Sequence, residues 1–306
     1  MGVTSSRPDN GAENPPFILI IVRIHKHSLV LKIDAHQHFW RFDPVRDAWI
    51  TPEMSVIRRD FLPADLAPLL EQNGLDGCVA VQADQSEEET HFLLGLAEQH
   101  PFVRGVVGWV DLRSPRLSER LEYFSQFPKL KGFRHILQGE KPAFMLDSAF
   151  LEGIAALKRH HFTYDVLVFP RHLEAVHILL KKNENQPFII DHLAKPYIKK
   201  GLIKQWAKDL RRLARYDHVY CKLSGMVTEA DWAQWRPADL HPYLEVALEA
   251  FGPQRLCYGS DWPVCLLAAT YAQQVQALQS FTNRLTASEQ TAIWGENALK
   301  FYQLSE

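Results

Sequence analysis

From residue 31 onward, short apolar runs alternate with longer amphipathic stretches. The short runs are rich in Val, Ile, Phe and Tyr and bounded by Gly, Pro, Asp or His, which predicts strands. They cover residues 31–39, 77–83, 104–110, 130–137, 163–169, 187–193, 219–224 and 255–260. Between them, apolar residues recur at three- and four-residue spacing. That period predicts helices over 62–73, 88–99, 147–159, 173–182, 203–214, 240–251, 271–278 and 288–302. The first ends at Gly74, a residue suited to the turn that closes a helix.

Eight strands, each followed by a helix, predict an α/β fold, a single-domain (β/α)8 TIM barrel over residues 31–306. A doubly wound sheet would need a Gly-rich phosphate turn after the first strand. The chain continues there as His36-Gln37-His38-Phe39-Trp40 instead. Residues 40–60, with Pro44 and Pro52, read as a loop over the strand ends. Residues 1–30 read as a flexible N-terminal extension. Their apolar run, 17–22, precedes Arg23, Lys26 and two histidines, the reverse of a signal peptide's charge order.

Composition narrows the function classes. The 306 residues are 46% hydrophobic, enough for a large core. Lys and Arg number 34 and Asp and Glu 36, a formal net charge of −2, so neither nucleic acid nor an anionic membrane is the expected partner. No run approaches the ~20 apolar residues of a membrane span. The four cysteines form no CxxC pair, and the expectation is reduced core thiols in a cytoplasmic protein. A homo-oligomer stays open.

Three segments carry chemistry. In Asp34-Ala35-His36-Gln37-His38, strand alternation sends Asp34, His36 and His38 to one face. Ile33 and Ala35 suit the helix layer, which puts the acid and the histidines inside. Two imidazoles at that spacing can grip a metal ion or polarise a carbonyl, although hydrogen-bonded core histidines look the same in a sequence. His192 and Lys195 follow the sixth strand, where each alone reads as structural or solvated. Asp261 ends the eighth strand, where it could be a helix cap. In a closed barrel, however, the first and eighth strands are neighbours, so Asp261 would face the histidine pair. A carboxylate that takes a proton from water, beside groups that stabilise an oxyanion, makes a hydrolytic site.

The pieces IDAHQHFW, VAVQA, GFRHILQ, YDVLV, IIDHLAKP, CKLSG and YGSDWPV stand in order at strand spacing. Through them the chain resembles the amidohydrolase superfamily, in particular its amidohydrolase-related (family 2) lactonases. That group includes L-fuconolactonase- and L-rhamnonolactonase-like enzymes and 2-pyrone-4,6-dicarboxylate lactonase. The resemblance spans nearly all of residues 32–304. It implies hydrolysis of a sugar-acid lactone, a 1,4- or 1,5-aldonolactone, or a similar cyclic ester. His36 and His38 match the first-strand pair, His192 the sixth-strand histidine and Asp261 the catalytic aspartate. Arg134 and His135 match an Arg-His that binds substrate oxygens. The chain lacks the fourth-strand lysine and fifth-strand histidine of two-metal members. The resemblance therefore implies at most one divalent ion, zinc by donor type, on His36, His38 and Asp261 with His192 nearby, and no organic cofactor.

Weaker candidates for substrate contact are Gln82, Trp109, Arg41 and Lys195, with Trp40 closing over a ligand. Asp165 reads as a buried, partnered acid, and Lys222 as a group that reaches the site or pairs with a carboxylate. Tyr271 reads as ordinary helix surface. Two other functions fit the same pattern: decarboxylation of an aromatic or enoic acid, and sugar-acid binding without catalysis.

Overall fold

A computed structural model describes residues 1–3 and 31–305. The N-terminal extension expected over residues 1–30 falls almost wholly outside the described residues. Eight strands form one parallel sheet in chain order: β1 Ile33–Gln37, β2 Gly77–Val81, β3 Val103–Gly108, β4 Leu130–His135, β5 Thr163–Val166, β6 Phe188–Ile190, β7 Val219–Leu223 and β8 Leu256–Tyr258. The Asp261 amide donates to the His36 carbonyl at 2.8 Å, and the His38 amide to the Trp262 carbonyl at 2.7 Å, so the last strand's extension meets the first. This is the (β/α)8 barrel that the alternation predicts.

The outer layer is formed by α1 Pro63–Gln72, α2 Glu87–Gln99, α3 Leu117–Phe124, α4 Ser148–Arg159, α5 Leu173–Lys182, α6 Lys204–Leu213, the single turn α7 Met226–Glu229, α8 Pro237–Phe251 and α9 Tyr271–Thr282. The tail predicted as one helix is α10 Ala287–Thr291 and α11 Asn297–Phe301, joined by a π-turn. Sequence periodicity misses α3, whose eight residues bury only Leu117, Leu121 and Phe124.

Two apolar clusters hold the barrel together. The larger lies between strands and helices. The smaller fills the interior with Ile33, Ala35, Val79, Val81, Val107, Ile189 and Cys257, against Phe301, Tyr302 and Leu304 of the tail. All four cysteines are buried and free.

The interior position of Ile33 and Ala35 corrects the expected facing of β1. Asp34 pairs with Cys78 and Gln37 with Ala80, so two residues of β1 oppose one of β2. This bulge reverses the facing partway along the strand. Asp34 turns toward the helix layer, where it accepts from the Tyr271 hydroxyl at 2.9 Å and the Ser260 amide at 2.9 Å. His36 and His38, beyond the bulge, turn inward. Tyr271 is correspondingly buried, not helix surface.

Candidate active site

The C-terminal strand ends surround a cavity of about 230 Å³. Its polar lining is His38, Arg134, Gln138, His192, Lys195 and Asp261. Its apolar lining is Trp40, Trp49, Ala83, Ile136, Leu167 and Val264. The loop after β1 supplies Trp40 and Trp49, whose rings meet edge to face at 6.0 Å.

Three imidazoles converge on one carboxylate. His38 Nδ1 lies 2.7 Å from the Val81 carbonyl, which can only accept. Nδ1 therefore carries a ring proton, and Nε2 faces the site. That Nε2 is 3.3 Å from His36 Nε2 and 3.4 Å from Asp261 Oδ1. The same oxygen is 3.9 Å from His36 Nε2 and 3.8 Å from His192 Nε2. His192 is held from behind by Ser224 Oγ, 2.8 Å from its Nδ1. One ligand atom each from His36, His192 and Asp261 fall within 4.8 Å of one another.

Backbone geometry aims these groups. His192, Leu193, Ala194 and Lys195 all have φ between 50° and 57°, and Asp261 has φ 58°. Left-handed backbone costs a non-glycine residue roughly 1–2 kcal/mol, so the turn needs anchors. Trp206 Nε1 donates to the Leu193 carbonyl at 2.7 Å, and the Lys195 amide to the His192 carbonyl at 2.7 Å.

Burial lowers His192 to about 4, against the pull of Asp261, and lowers His36 well below the ordinary histidine range, with Lys222 adding to the effect. Both are neutral near pH 7 and can act as ligands. Burial alone would raise Asp261, but His192, His38 and His36 outweigh it and keep the carboxylate ionised. Neutral imidazole nitrogens with a carboxylate oxygen are the donor set that suits zinc.

Beneath the imidazoles lies a buried charge network. Lys222 pairs with Asp165, and its Nζ is 3.0 Å from both Asp191 Oδ1 and His36 Nδ1. Arg134 Nη1 donates to Asp191 Oδ2 at 3.0 Å and lies 3.3 Å from His36 Nε2. The Tyr302 hydroxyl donates to Asp165 Oδ2 at 2.8 Å. Lys222 thus both reaches the site and pairs with carboxylates, and Asp165 is the partnered acid expected.

Of the sequence candidates, His38, His192, Asp261, Arg134, Lys195 and Trp40 line the cavity, and His36 lies just below it. Four others stand apart. Gln82 is fully buried and braces Arg134: its Nε2 donates to the Arg134 carbonyl at 3.0 Å, and Arg134 Nη2 donates back to the Gln82 carbonyl. His135 alternates to the face opposite Arg134 and stacks on Phe144 at 4.8 Å. Trp109 Nε1 reaches His135 Nδ1 at 3.3 Å instead of the cavity. Arg41 is exposed and borders a separate cleft with Arg46 and Asp84. Sequence reading gave no role to Asp191, Ser224 or Trp49. The available signal for Asp191 was an acid in the apolar run around Ile189 and Ile190.

The chain matches the Amidohydrolase family model over residues 33–304. It is 44% identical over 288 residues to the L-fucono-1,5-lactonase of Burkholderia multivorans, covering 90% of this chain and 97% of that protein. It is 36% identical over 284 residues to the L-fucono-1,5-lactonase of Burkholderia ambifaria, with 90% and 97% covered. A crystal structure of a Burkholderia multivorans amidohydrolase with bound zinc superposes with a TM-score of 0.87 at 44% identity, covering 90% of this chain and all of that one. On family match, fold and sequence together, this chain is a member of the amidohydrolase family.

Proposed function

We propose that this chain hydrolyses the ring ester of a sugar-acid lactone, with L-fucono-1,5-lactone the first substrate to try. The observation that carries the reading is an ionised carboxylate in the cavity at the barrel rim, facing the imidazoles of His38 and His192 there and of His36 just below. The identity to relatives named for this lactone supports the choice of substrate.

Asp261 Oδ1 faces the imidazoles, which leaves Oδ2 to take a proton from the attacking water. Arg134 and Lys195 offer positive charge at the cavity wall to ring and hydroxyl oxygens. Lys195 is steered by Glu229, 3.5 Å away. His192, fixed by Ser224, stands where a carbonyl oxygen gains negative charge as water adds. Trp40, Trp49 and Leu167 present an apolar wall suited to a sugar ring's C–H face and a deoxy-sugar methyl group. His36, His38, His192 and Asp261 would hold a divalent ion, which supplies Lewis-acid polarisation of the ester carbonyl.

The test is a proton-release assay over a panel of 1,4- and 1,5-aldonolactones, on protein of known zinc content, with and without chelator. The expected result is turnover of L-fucono-1,5-lactone that falls on chelation and returns with zinc. Carbon dioxide release from aromatic or enoic acids without lactone opening would replace this reading with decarboxylation. Thermal stabilisation by sugar acids without any turnover would replace it with binding alone.

A further inference from the structure

The donor groups below the cavity form a second cluster with the makings of a cation site. His36, Asp165 and Asp191 each offer a ligand atom, and these atoms lie within 4.8 Å of one another. All three side chains are fully buried. Asp191 Oδ1 lies 3.3 Å from His36 Nδ1, and Asp165 Oδ1 has no hydrogen-bond partner among the described residues. A buried carboxylate oxygen without a donor is costly, so such a cluster demands a cation.

The fold supplies that cation covalently. Lys222, from β7, places Nζ among the three residues: paired with Asp165, 3.0 Å from Asp191 Oδ1 and 3.0 Å from His36 Nδ1. An ammonium is a compact point charge with three donors, close in role to a metal ion but unable to leave. Arg134 is engaged on the other oxygen of Asp191, and Tyr302 on the bonded oxygen of Asp165. Neither is bonded to Asp191 Oδ1, the oxygen that Lys222 approaches.

We propose that Lys222 is the built-in cation of a latent metal site. Its ammonium occupies the cluster of His36, Asp165 and Asp191, excludes a second divalent ion from it, and fixes the His36 ring from the Nδ1 side. Lys222 is thus a positioning residue that acts on the site through His36.

The experiment counts zinc. Wild-type protein and Lys222→Ala are equilibrated with excess zinc, freed of loose metal by gel filtration, and analysed for ions per chain, with folding followed by circular dichroism. Wild type is expected to hold no more than one ion, and Lys222→Ala one more than wild type. Adding Asp165→Asn to Lys222→Ala keeps the charge balance and should abolish the extra ion. If Lys222→Ala alone folds poorly, zinc should restore its folding, because the ion replaces the lost ammonium. An unchanged count in a folded Lys222→Ala overturns the proposal. So does a poorly folded Lys222→Ala chain that zinc does not improve, or wild type that binds a second ion. None of these readouts depends on which substrate is hydrolysed.

Discussion

His192 and Asp261 aim their side chains from left-handed backbone, and the His192 and His36 rings each have a glycine against them in space. A Cβ on Gly225, which has φ +60°, would come within 2.5 Å of His192 Nδ1 and 2.6 Å of its Cγ. A Cβ on Gly259 would come within 2.7 Å of the His36 Cβ. The glycines of CKLSG and YGSDWPV are there so that the two rings can close on the carboxylate. Gly225→Ala should therefore displace the His192 ring and break its bond to Ser224. A shift of about 1 Å costs roughly a hundredfold in rate. The expected outcome is a kcat/KM on the lactone lower by that order, with weaker zinc binding and a folded far-ultraviolet spectrum. Wild-type kinetics in this variant would mean that His192 need not hold its position.

The elements differ in how plainly the sequence announces them. Long amphipathic helices such as α2 and α5 are readable because their apolar stripe repeats over three turns. The bulge in β1 is invisible, since Asp34 through His38 alternate as a regular strand would. Only pairing with β2 shows that two residues oppose one, and so that Asp34 faces Tyr271 while the histidines face the interior. The site residues legible in advance were those ending strands in distinctive motifs: His36, His38, His192 and Asp261. Asp191 and Lys222 were harder, because their meaning depends on β5, β6, β7 and β1 meeting inside the barrel.

The start of α2 offers a test at the element scale. Ser86 caps the helix by accepting from the Glu89 amide at 3.1 Å, and Glu89 Oε1 accepts from the Ala83 amide at 3.1 Å. Burial raises Glu89 from its ordinary 4.5 to about 7. In the unfolded chain this group loses its proton near 4.5, in the folded chain only near 7. Its contribution to stability is thus full below pH 4.5 and is lost as pH rises through 7, a change of about 3 kcal/mol. Glu89→Gln removes the titration. The stability of the variant relative to wild type, from urea unfolding at several pH values, should rise between pH 4.5 and 7 and level off above. A difference that does not vary with pH would contradict the burial argument.

At the scale of the whole molecule, the barrel brings residues 36 and 261 to one rim. No local pattern dictates that meeting; it follows from eight strands closing in order, with the Asp261 and His38 amides joining the ends. The apolar tail of α11 fills the opposite end, and Tyr302 ties it to the charge network below the site. The same closure that builds the core therefore builds the site. The most direct measurement of the account is the turnover of L-fucono-1,5-lactone by Asp261→Asn beside wild type, with folding and zinc content determined on both. The account predicts a rate lower by about a thousandfold or more in a folded protein. Turnover near the wild-type rate would contradict it, because no other carboxylate lines the cavity among the described residues.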